Sequence, residues 1–237
     1  MDPLNKIPIL QKLTAQQQSD LLSQSKRYIL SRGESLWQEG EELNALHLVL
    51  RGQFKTTKRQ ENDSDIILNL VHQGNPVCPN IACSLQAYCC TSKSMEDDSE
   101  VISIPRSCVS SLVQENYEFA LEILSLTQAH MKELCHRISE VAGWRTKQRI
   151  ALLFQRLALR SGKTLKDGGI RVNVPLTRQD IADLCGTTVE TSIRVMSAWQ
   201  KSHIISSKTR GFIIHDMHMI EAIIQDKKSK YMQAKAS

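Results

Sequence analysis

The stretch that decides the fold reads Thr177-Arg-Gln-Asp-Ile-Ala-Asp-Leu-Cys-Gly-Thr-Thr-Val-Glu-Thr-Ser-Ile-Arg-Val-Met196. Thr177, with Asp180 three residues later, can cap the start of one short helix, and Thr187 or Thr188 can cap a second. Gly186 lies between the two blocks and tolerates the backbone of a tight turn. Two helices joined by such a turn form a helix-turn-helix, which presents its second helix to the major groove of DNA.

The segment behind this motif completes a winged helix-turn-helix. It reads Ile204-Ile-Ser-Ser-Lys-Thr-Arg210 before Gly211.

The formal net charge of +5 is small for 237 residues, so its distribution matters more than its sum. Basic residues cluster from Arg137 to Lys235, whereas an acidic run, Glu96 to Glu100, lies in the first half. This asymmetry favours a C-terminal surface that binds nucleic acid.

The first half has the rhythm of a β-barrel. Between residues 28 and 105, short apolar runs are separated by single glycines, which is typical of a jelly roll with tight turns. The runs and glycines are Tyr28-Ile-Leu, Ala45-Leu-His-Leu-Val-Leu, Ile66-Ile-Leu-Asn-Leu-Val, Val101-Ile-Ser-Ile, Gly33, Gly40, Gly52 and Gly74. Leucines in a Gln-rich setting before the barrel predict helical turns packed on it. They are Leu10, Leu13, Leu21 and Leu22.

A long helix without Pro or Gly follows the barrel. Its apolar residues recur at alternating steps of three and four, the spacing of a coiled-coil seam. They are Tyr117, Ala120, Leu124, Thr127, Met131, Leu134, Ile138 and Val141. The part from Leu124 to Val141 predicts homodimerisation, with burial of the helix inside one subunit as the alternative. We expect an effector-sensing barrel (1–114), a dimerisation helix (115–142) and, beyond a hinge at Gly143, a DNA-binding domain (143–237).

Other classes of protein are disfavoured by what the sequence lacks. It has no apolar run of about 18 residues and no basic start followed by an apolar stretch, so we expect a cytoplasmic protein that enters no membrane. Paired carboxylates, a Ser-His-Asp set or a phosphate-cradling glycine loop cannot be assembled from local motifs, so we do not expect an enzyme. Seven cysteines in such a chain indicate thiol or metal chemistry rather than a disulfide framework.

The barrel, the long helix and the helix-turn-helix, in this order along the chain, resemble the Crp/Fnr superfamily. This is the superfamily of the cyclic-AMP receptor protein and the fumarate-and-nitrate reduction regulator. Its effector barrel is similar to Arg32-Gly33-Glu34, Glu39-Gly40-Glu41 and Leu48-Val-Leu-Arg-Gly52, and its helix-turn-helix opening to Thr177-Arg-Gln-Asp-Ile181. The resemblance implies an α+β fold: a cyclic-nucleotide-binding-like β jelly roll, a long dimerisation helix and a C-terminal winged helix-turn-helix. It also implies a transcriptional regulator, with RNA polymerase as a partner if it is an activator.

The resemblance further implies which side chains meet DNA. Val189-Glu190-Thr191 followed by Arg194 is similar to the fumarate-and-nitrate branch, so base reading transfers to Glu190 and Arg194. Arg can bind guanine O6 and N7, and Glu can accept from cytosine N4. We expect a two-fold symmetric site with a TGA-like core in each half and half-sites about one helical turn apart. Phosphate contacts are expected from Arg178, Thr188, Lys208 and Arg210.

One pair of residues departs from the family pattern. The family has an apolar residue where Ser192 stands and a small or polar residue where Ile193 stands. Either the helix is slightly rotated, or Ile193 touches a thymine methyl while Ser192 lies inside. A capping role alone is the alternative for Glu190, and a phosphate or intraprotein partner is the alternative for Arg194.

The effector pocket departs from the nucleotide-binding members. Aligned without gaps, Pro79 takes the place of the Glu that binds the ribose, and Cys89-Cys90 takes the place of the Arg-Ser or Arg-Thr pair that binds the phosphate. A buried phosphate without a guanidinium partner is left uncompensated. We therefore do not expect cyclic AMP to bind in the family's manner.

Four cysteines occupy this region instead: Cys78, Cys83, Cys89 and Cys90. Because iron–sulfur clusters prefer thiolate ligands, we expect these four to hold a cluster that senses a redox or gas signal. The alternatives are haem bound through Cys78, thiol oxidation or zinc, and a constitutive DNA-binding protein with a degenerate, unliganded pocket. We expect the three other cysteines to pack rather than react: Cys108, Cys135 and Cys185.

Overall fold

The structure is a computed structural model that describes residues 7–61, 63–82 and 86–234. It consists of two compact units, Met1–Leu134 and Cys135–Ser237. Each unit combines helices with antiparallel strands, so the predicted α+β class is confirmed. Within the described ranges, no helix is both long enough and apolar enough to cross a membrane.

Two antiparallel sheets form the body of the first unit. Their strands are β1 (Lys26–Leu30), β2 (Ser35–Trp37), β3 (Ala45–Arg51), β4 (Gln53–Arg59), β5 (Asp65–His72), β6 (Thr91–Ser94) and β7 (Ser99–Pro105). One sheet has the order β1-β7-β3, and the other has the order β2-β6-β4-β5. This double-sheet arrangement is the jelly roll that the apolar runs predict.

The turn between β3 and β4 depends on Gly52. Its φ of 84° lies in the left-handed region, which side chains disfavour. A Cβ atom at this position would also lie 2.3 Å from the hydroxyl oxygen of Ser99 on β7. Glycine is therefore required here for both backbone conformation and space.

Helices cover the barrel of the first unit. Four of them are a 3-10 helix (Pro8–Lys12), α1 (Ala15–Gln24), a second 3-10 helix (Pro79–Ala82) and α2 (Arg106–Glu115), and a fifth, α3 (Tyr117–Gly143), begins in this unit. Thr14 caps α1 in a reciprocal capping box with Gln17. All residues from Leu46 to Leu50 on β3 are buried, which indicates that both faces of this strand are covered. The boundary between the two units falls within α3.

The second unit joins helices to a small sheet. Its elements are α4 (Thr146–Ser161), β8 (Gly162–Thr164), β9 (Ile170–Val172), α5 (Arg178–Cys185), α6 (Val189–Lys201), β10 (Ile205–Lys208), β11 (Gly211–Ile214) and α7 (Met217–Ala234). The strands pair antiparallel in the order β10-β11-β9-β8. Helices α5 and α6 with the β10–β11 hairpin form the predicted winged helix-turn-helix.

Three aromatic rings hold α6 in place. The Phe154 ring on α4 meets Trp199 on α6 edge-on, with ring centroids 5.7 Å apart and planes at 90°. Phe154 also contacts Phe212 on β11 at a centroid distance of 4.3 Å. All three rings are buried, and such aromatic pairs stabilise a core beyond their buried area. The second helix of the motif is therefore fixed to both α4 and the wing.

Candidate nucleic-acid interface and cysteine region

The start of α5 is fixed by a reciprocal capping box. The Thr177 hydroxyl accepts a hydrogen bond from the Asp180 backbone N–H at 3.0 Å, and the Asp180 carboxylate accepts one from the Thr177 N–H at 2.9 Å. Asp180 is only 4% exposed. Both free N–H groups are thereby satisfied, as the Thr-x-x-Asp spacing predicts.

The turn between α5 and α6 uses Gly186 in the left-handed conformation, with φ of 58°. The N–H groups of Gly186 and Thr187 both donate to the Ala182 carbonyl, so α5 ends at this point. Thr188 is the N-cap of α6, and its hydroxyl accepts from the Thr191 N–H at 3.3 Å. Glu190 is therefore the second residue of α6 and does not occupy the capping-box position.

One face of α6 is open to the outside. Glu190, Ile193 and Arg194 are exposed on it, while Ser192, Met196 and Trp199 are buried on the other side. The buried residues are spaced by four and three, so a single helical face packs against the domain. The burial pattern agrees with the second interpretation of the departing pair in that Ser192 lies inside and Ile193 is 45% exposed, while the contact of Ile193 with a thymine methyl stays a prediction.

The predicted phosphate contacts lie around this face. Lys208 and Arg210 are exposed at the turn of the β10–β11 wing, where Lys208 pairs with Gly211. Arg178 at the start of α5 is half-buried, and its Nη2 donates to the Ser207 hydroxyl at 2.9 Å. Burial lowers the pKa of Arg178. Its guanidinium is thus attached to the wing.

Two further predicted contacts lie at the start of α6. Thr188 is exposed, and its hydroxyl also donates to the Thr191 hydroxyl at 3.2 Å. Val189 is half-buried. The two residues therefore differ in how much of their surface a DNA backbone could reach.

The cysteines of the sensor region differ in exposure. Cys78 is half-buried, Cys89 is exposed and Cys90 is buried. Cys83 lies outside the described residues. The Cys90 thiol shares a hydrogen bond with the Cys89 sulfur, which lowers the pKa of Cys89 to about 6 and raises the pKa of Cys90. Two of the predicted ligands are thus in direct contact.

Neighbouring side chains hold the two adjacent cysteines by their backbone. The Trp37 indole Nε1 donates to the Cys90 carbonyl at 2.8 Å. Lys58 Nζ donates to the Cys89 carbonyl at 3.2 Å and pairs with a Glu39 carboxylate oxygen at 2.5 Å. The segment is therefore attached both to the core and to the surface of the barrel.

Aromatic rings fill the barrel next to this segment. Trp37 stacks on Tyr88, with ring centroids 4.2 Å apart and planes at 13°, and on His47 at 5.1 Å. His47 Nε2 lies 3.0 Å from the Tyr88 hydroxyl, and its Nδ1 lies 2.5 Å from the Ser103 hydroxyl. Burial lowers the pKa of His47 to about 4, so its ring is neutral at physiological pH.

A metal ion needs several ligating side chains close together. Among the described side chains, no group of three or more His, Cys, Asp or Glu residues is arranged to hold one. The predicted four-thiol set includes Cys83, whose position is not described. Cys78, Cys89 and Cys90 are all described, so these three thiols do not form such a group by themselves, and the four-thiol cluster stays a prediction.

The three other cysteines differ in exposure. Cys185 is buried as expected, and burial raises its pKa to about 12. Cys108 is half-buried, with its sulfur 3.2 Å from the Gln24 side-chain oxygen. Cys135 is exposed, so the expectation that it packs is wrong for the single chain. It lies on α3, where the exposed face is unusually apolar.

The predicted dimerisation residues lie along one stripe of α3 but differ in exposure. Leu124, Met131, Ile138 and Val141 are between 52% and 69% exposed. Thr127 and Leu134 are half-buried, and the Thr127 hydroxyl donates to the Ile123 carbonyl at 2.9 Å. Tyr117 and Leu121 extend the exposed set at heptad spacing. We refer to Tyr117, Leu121, Leu124, Met131 and Ile138 as the exposed apolar row of α3; Val141, near the end of the helix, is exposed as well.

Comparisons with known proteins agree with this architecture. Residues 29–116 match the family model of the cyclic nucleotide-binding domain, and residues 148–223 match that of the Crp-like helix-turn-helix domain. The anaerobic regulatory protein of Bacillus subtilis is 23% identical over 179 residues, which are 76% of this chain and 75% of the relative. The fumarate and nitrate reduction regulatory protein of Vibrio cholerae is 25% identical over 216 residues, 90% of this chain and 84% of the relative.

A solved structure shows the same fold. FixK2 from Bradyrhizobium japonicum superposes with a TM-score of 0.74 at 16% identity, over 84% of this chain and 96% of that chain. Barrel, long helix and winged helix-turn-helix define a DNA-binding transcriptional regulator rather than an enzyme. The chain thus combines a cyclic nucleotide-binding domain with a Crp-like helix-turn-helix domain, and it is similar to regulators of the Crp/Fnr superfamily.

Proposed function

We propose that the protein acts in the cytoplasm as a homodimer, binds a two-fold symmetric DNA site and responds to a redox or gas signal. The observation that carries the DNA-binding part is the exposed face of α6, on which Glu190, Ile193 and Arg194 lie together. Exposed side chains on the second helix of such a motif are the ones that reach base edges. As an activator, the protein would also contact RNA polymerase.

The chemistry of the α6 face supports a TGA-like half-site. Arg194 can donate two hydrogen bonds to guanine, and Glu190 can accept one from cytosine N4. They are one helical turn apart, so both reach the same short run of base pairs. Ile193, exposed between them, offers an apolar surface to a thymine methyl group.

The exposed apolar row of α3 supports the homodimer. Tyr117, Leu121, Leu124, Met131 and Ile138 follow heptad spacing, and this pattern is buried when two helices pack side by side. Apolar rows of this length are unusual on the surface of a monomer. Two copies paired along α3 would present two α6 helices to half-sites about one helical turn apart.

For the sensor, we propose an iron–sulfur cluster held by Cys78, Cys83, Cys89 and Cys90. Support comes from the contact between Cys89 and Cys90 and from Cys78, which is near enough to raise the pKa of Cys90. A bound cluster would supply electron transfer and sensitivity to oxidants. Protein purified without oxygen is expected to be brown, with a broad absorption band at about 400 nm. Cys89→Ser is expected to lose both colour and iron; an unchanged variant would overturn this ligand set.

The Cys89–Cys90 contact favours direct thiol oxidation as a second sensor chemistry. A peroxide would oxidise the Cys89 thiolate to a sulfenic acid as its O–O bond breaks and one oxygen leaves as water. The Cys90 thiol would then attack the Cys89 sulfur, release a second water and form a disulfide. Colourless protein that loses two maleimide-reactive thiols after peroxide treatment supports this chemistry. A sharp Soret band would instead indicate haem.

Footprinting over a range of salt concentrations tests the DNA-binding proposal. We expect two protected half-sites on a duplex with paired TGA-like cores. Because bound Lys and Arg release counterions from phosphates, affinity is expected to fall steeply as salt rises. The absence of protection by both the oxidised and the reduced protein would overturn the proposal.

A further inference from the structure

The side chain of Arg149, near the start of α4, forms all of its hydrogen bonds within the second unit. A guanidinium has five N–H groups in a planar fork. Their acceptors are the carbonyl oxygens of Cys185 (2.8 Å), Trp144 (2.9 Å), Gly186 (3.1 Å) and Val141 (3.4 Å) and the hydroxyl of Thr146 (3.4 Å). The side chain is half-buried, and no N–H group is left for another partner.

The four carbonyl acceptors lie at the C-terminal ends of two helices, whereas Thr146 is the first residue of α4. Val141 and Trp144 lie at the C-terminal end of α3, whereas Cys185 and Gly186 form the end of α5 and the turn after it. Carbonyl groups at helix C-termini have no partner within the helix and carry partial negative charge. One cation therefore satisfies the carbonyls of both ends and keeps them together.

Neighbouring contacts reinforce the same junction. Arg137 of α3 donates from Nη2 to the Leu184 carbonyl of α5 at 2.9 Å. Glu140 of α3 forms an ion pair with Arg156 of α4. A Cβ added at Gly186 would lie 3.6 Å from the Val141 side chain, which is ordinary van der Waals contact. The end of α3 and the turn before α6 thus form one packed junction with Arg149 at its centre.

We propose that Arg149 is a positioning residue that sets the direction of α6 relative to α3, and thereby the spacing between half-sites that a dimer accepts. This inference rests on the proposed dimeric DNA binding. The Thr188 N-cap of α6 follows directly after the turn whose carbonyls Arg149 holds. Since the same end of α3 carries Ile138, one of the proposed dimer contacts, Arg149 connects this part of the dimer seam to the base-reading helix.

The test compares wild-type protein with Arg149→Lys on duplexes whose half-site spacing is varied by one and two base pairs. Lysine keeps the charge but has three donors on a single nitrogen in place of the planar fork, so it cannot form all five hydrogen bonds. The wild type is expected to prefer one spacing, and Arg149→Lys to lose about tenfold of that preference. Its affinity for an isolated half-site is expected to stay within about threefold of the wild type, because Arg149 does not contact DNA.

Arg171→Lys is the matched control. Arg171 lies on β9, and its Nε donates to the Asn173 side-chain oxygen at 3.0 Å. The same chemical change there is expected to leave the spacing preference unchanged. In Arg149→Ala, ethylguanidinium but not ethylammonium is expected to restore the preference, since only the former supplies the fork.

The outcomes separate this inference from the proposed function. A normal spacing preference in Arg149→Lys would overturn the positioning role alone. A variant that no longer folds at the assay temperature, as judged by circular dichroism, would also overturn it, because Arg149 would then be a purely structural residue. Wild-type protein that binds no duplex would instead overturn the proposed function.

Discussion

Ser192 and Ile193 are neighbours on α6, yet Ser192 is buried and Ile193 is exposed. Ser192 is fully buried, and its hydroxyl has no hydrogen-bond partner among the described residues. Ile193 is 45% exposed on the same face as Arg194. A buried, unpaired hydroxyl destabilises a domain, and an exposed isoleucine on a base-reading face gains by contact with an apolar group. The order of these two residues therefore affects both stability and specificity.

Replacing Ser192 with Ala is expected to stabilise the DNA-binding domain. The change removes a buried hydroxyl without a partner, which gives about 1 kcal/mol in the free energy of unfolding. Urea unfolding followed by circular dichroism measures the change. Ser197→Ala, at a half-buried position of the same helix, is the control and gains only the helix propensity of Ala, about 0.5 kcal/mol. Equal effects at both positions would contradict a cost of burying the Ser192 hydroxyl.

Ile193 is expected to read a thymine methyl group. Replacing the contacted thymine by uracil removes one methyl and is expected to weaken wild-type binding by about 0.8 kcal/mol, near fourfold. Ile193→Ala is expected to bind the two duplexes equally. The measurement is the ratio of dissociation constants for each protein. A ratio that is the same for wild type and variant would show that Ile193 does not touch the methyl.

Arg194 and Lys208 are expected to differ in the kind of binding that each supports. Arg194→Ala is expected to lose about 1 to 3 kcal/mol on the cognate site and little on unrelated DNA. Lys208→Ala is expected to weaken binding to all sequences and to reduce the slope of log affinity against log salt by about 1. Fluorescence anisotropy with cognate and scrambled duplexes at several salt concentrations separates the two. Uniform loss in Arg194→Ala would contradict base reading.

A charge in the apolar row of α3 is expected to break the dimer. Met131 is 61% exposed in the single chain, so Met131→Glu does not disturb its core. Burying two carboxylates face to face is unfavourable, and sedimentation velocity is expected to show a monomer. Lys132→Glu, on the adjacent exposed residue, is the control and is expected to remain dimeric. A dimeric Met131→Glu would place the dimer interface elsewhere.

His47 is expected to make the barrel sensitive to acid. Burial holds its pKa at about 4, whereas an unfolded histidine titrates near about 6.5. The folded state therefore binds the proton less tightly, and stability that is fully present above about pH 6.5 is lost as pH falls toward about 4, by up to about 3 kcal/mol. Urea unfolding at several pH values measures this loss. The His47→Gln variant is expected to be less stable at neutral pH, and its free energy of unfolding is expected to change less over this pH range. A pH dependence parallel to that of the wild type would contradict the role of His47.

Local signals made the helix-turn-helix predictable. Thr177 and Asp180 are three residues apart and satisfy each other's backbone, so their role depends on no distant contact. The glycine turn and the apolar barrel runs are local in the same sense. They predicted β1, β3, β5 and β7 within a few residues.

Features set by distant partners were not predictable. The strand β4 reads Gln-Phe-Lys-Thr-Thr-Lys-Arg, which has no apolar run, and its pairing with β5 and β6 holds it in the sheet. β2 and β6 are too short to produce a pattern. The role of Arg149 could not be predicted from the sequence either, because most of its hydrogen-bond partners are backbone carbonyls from segments far apart in the chain. A backbone acceptor can belong to any residue type.

The central claim is that two copies of α6 read paired base sequences in one DNA site. Its most direct test is a gel-shift titration of wild-type protein with a duplex carrying two TGA-like half-sites, against the same duplex with both guanines replaced. We expect one retarded complex with two protein chains and an affinity loss of at least about tenfold on replacement of the guanines. Equal binding of both duplexes by the oxidised and the reduced protein would contradict the account.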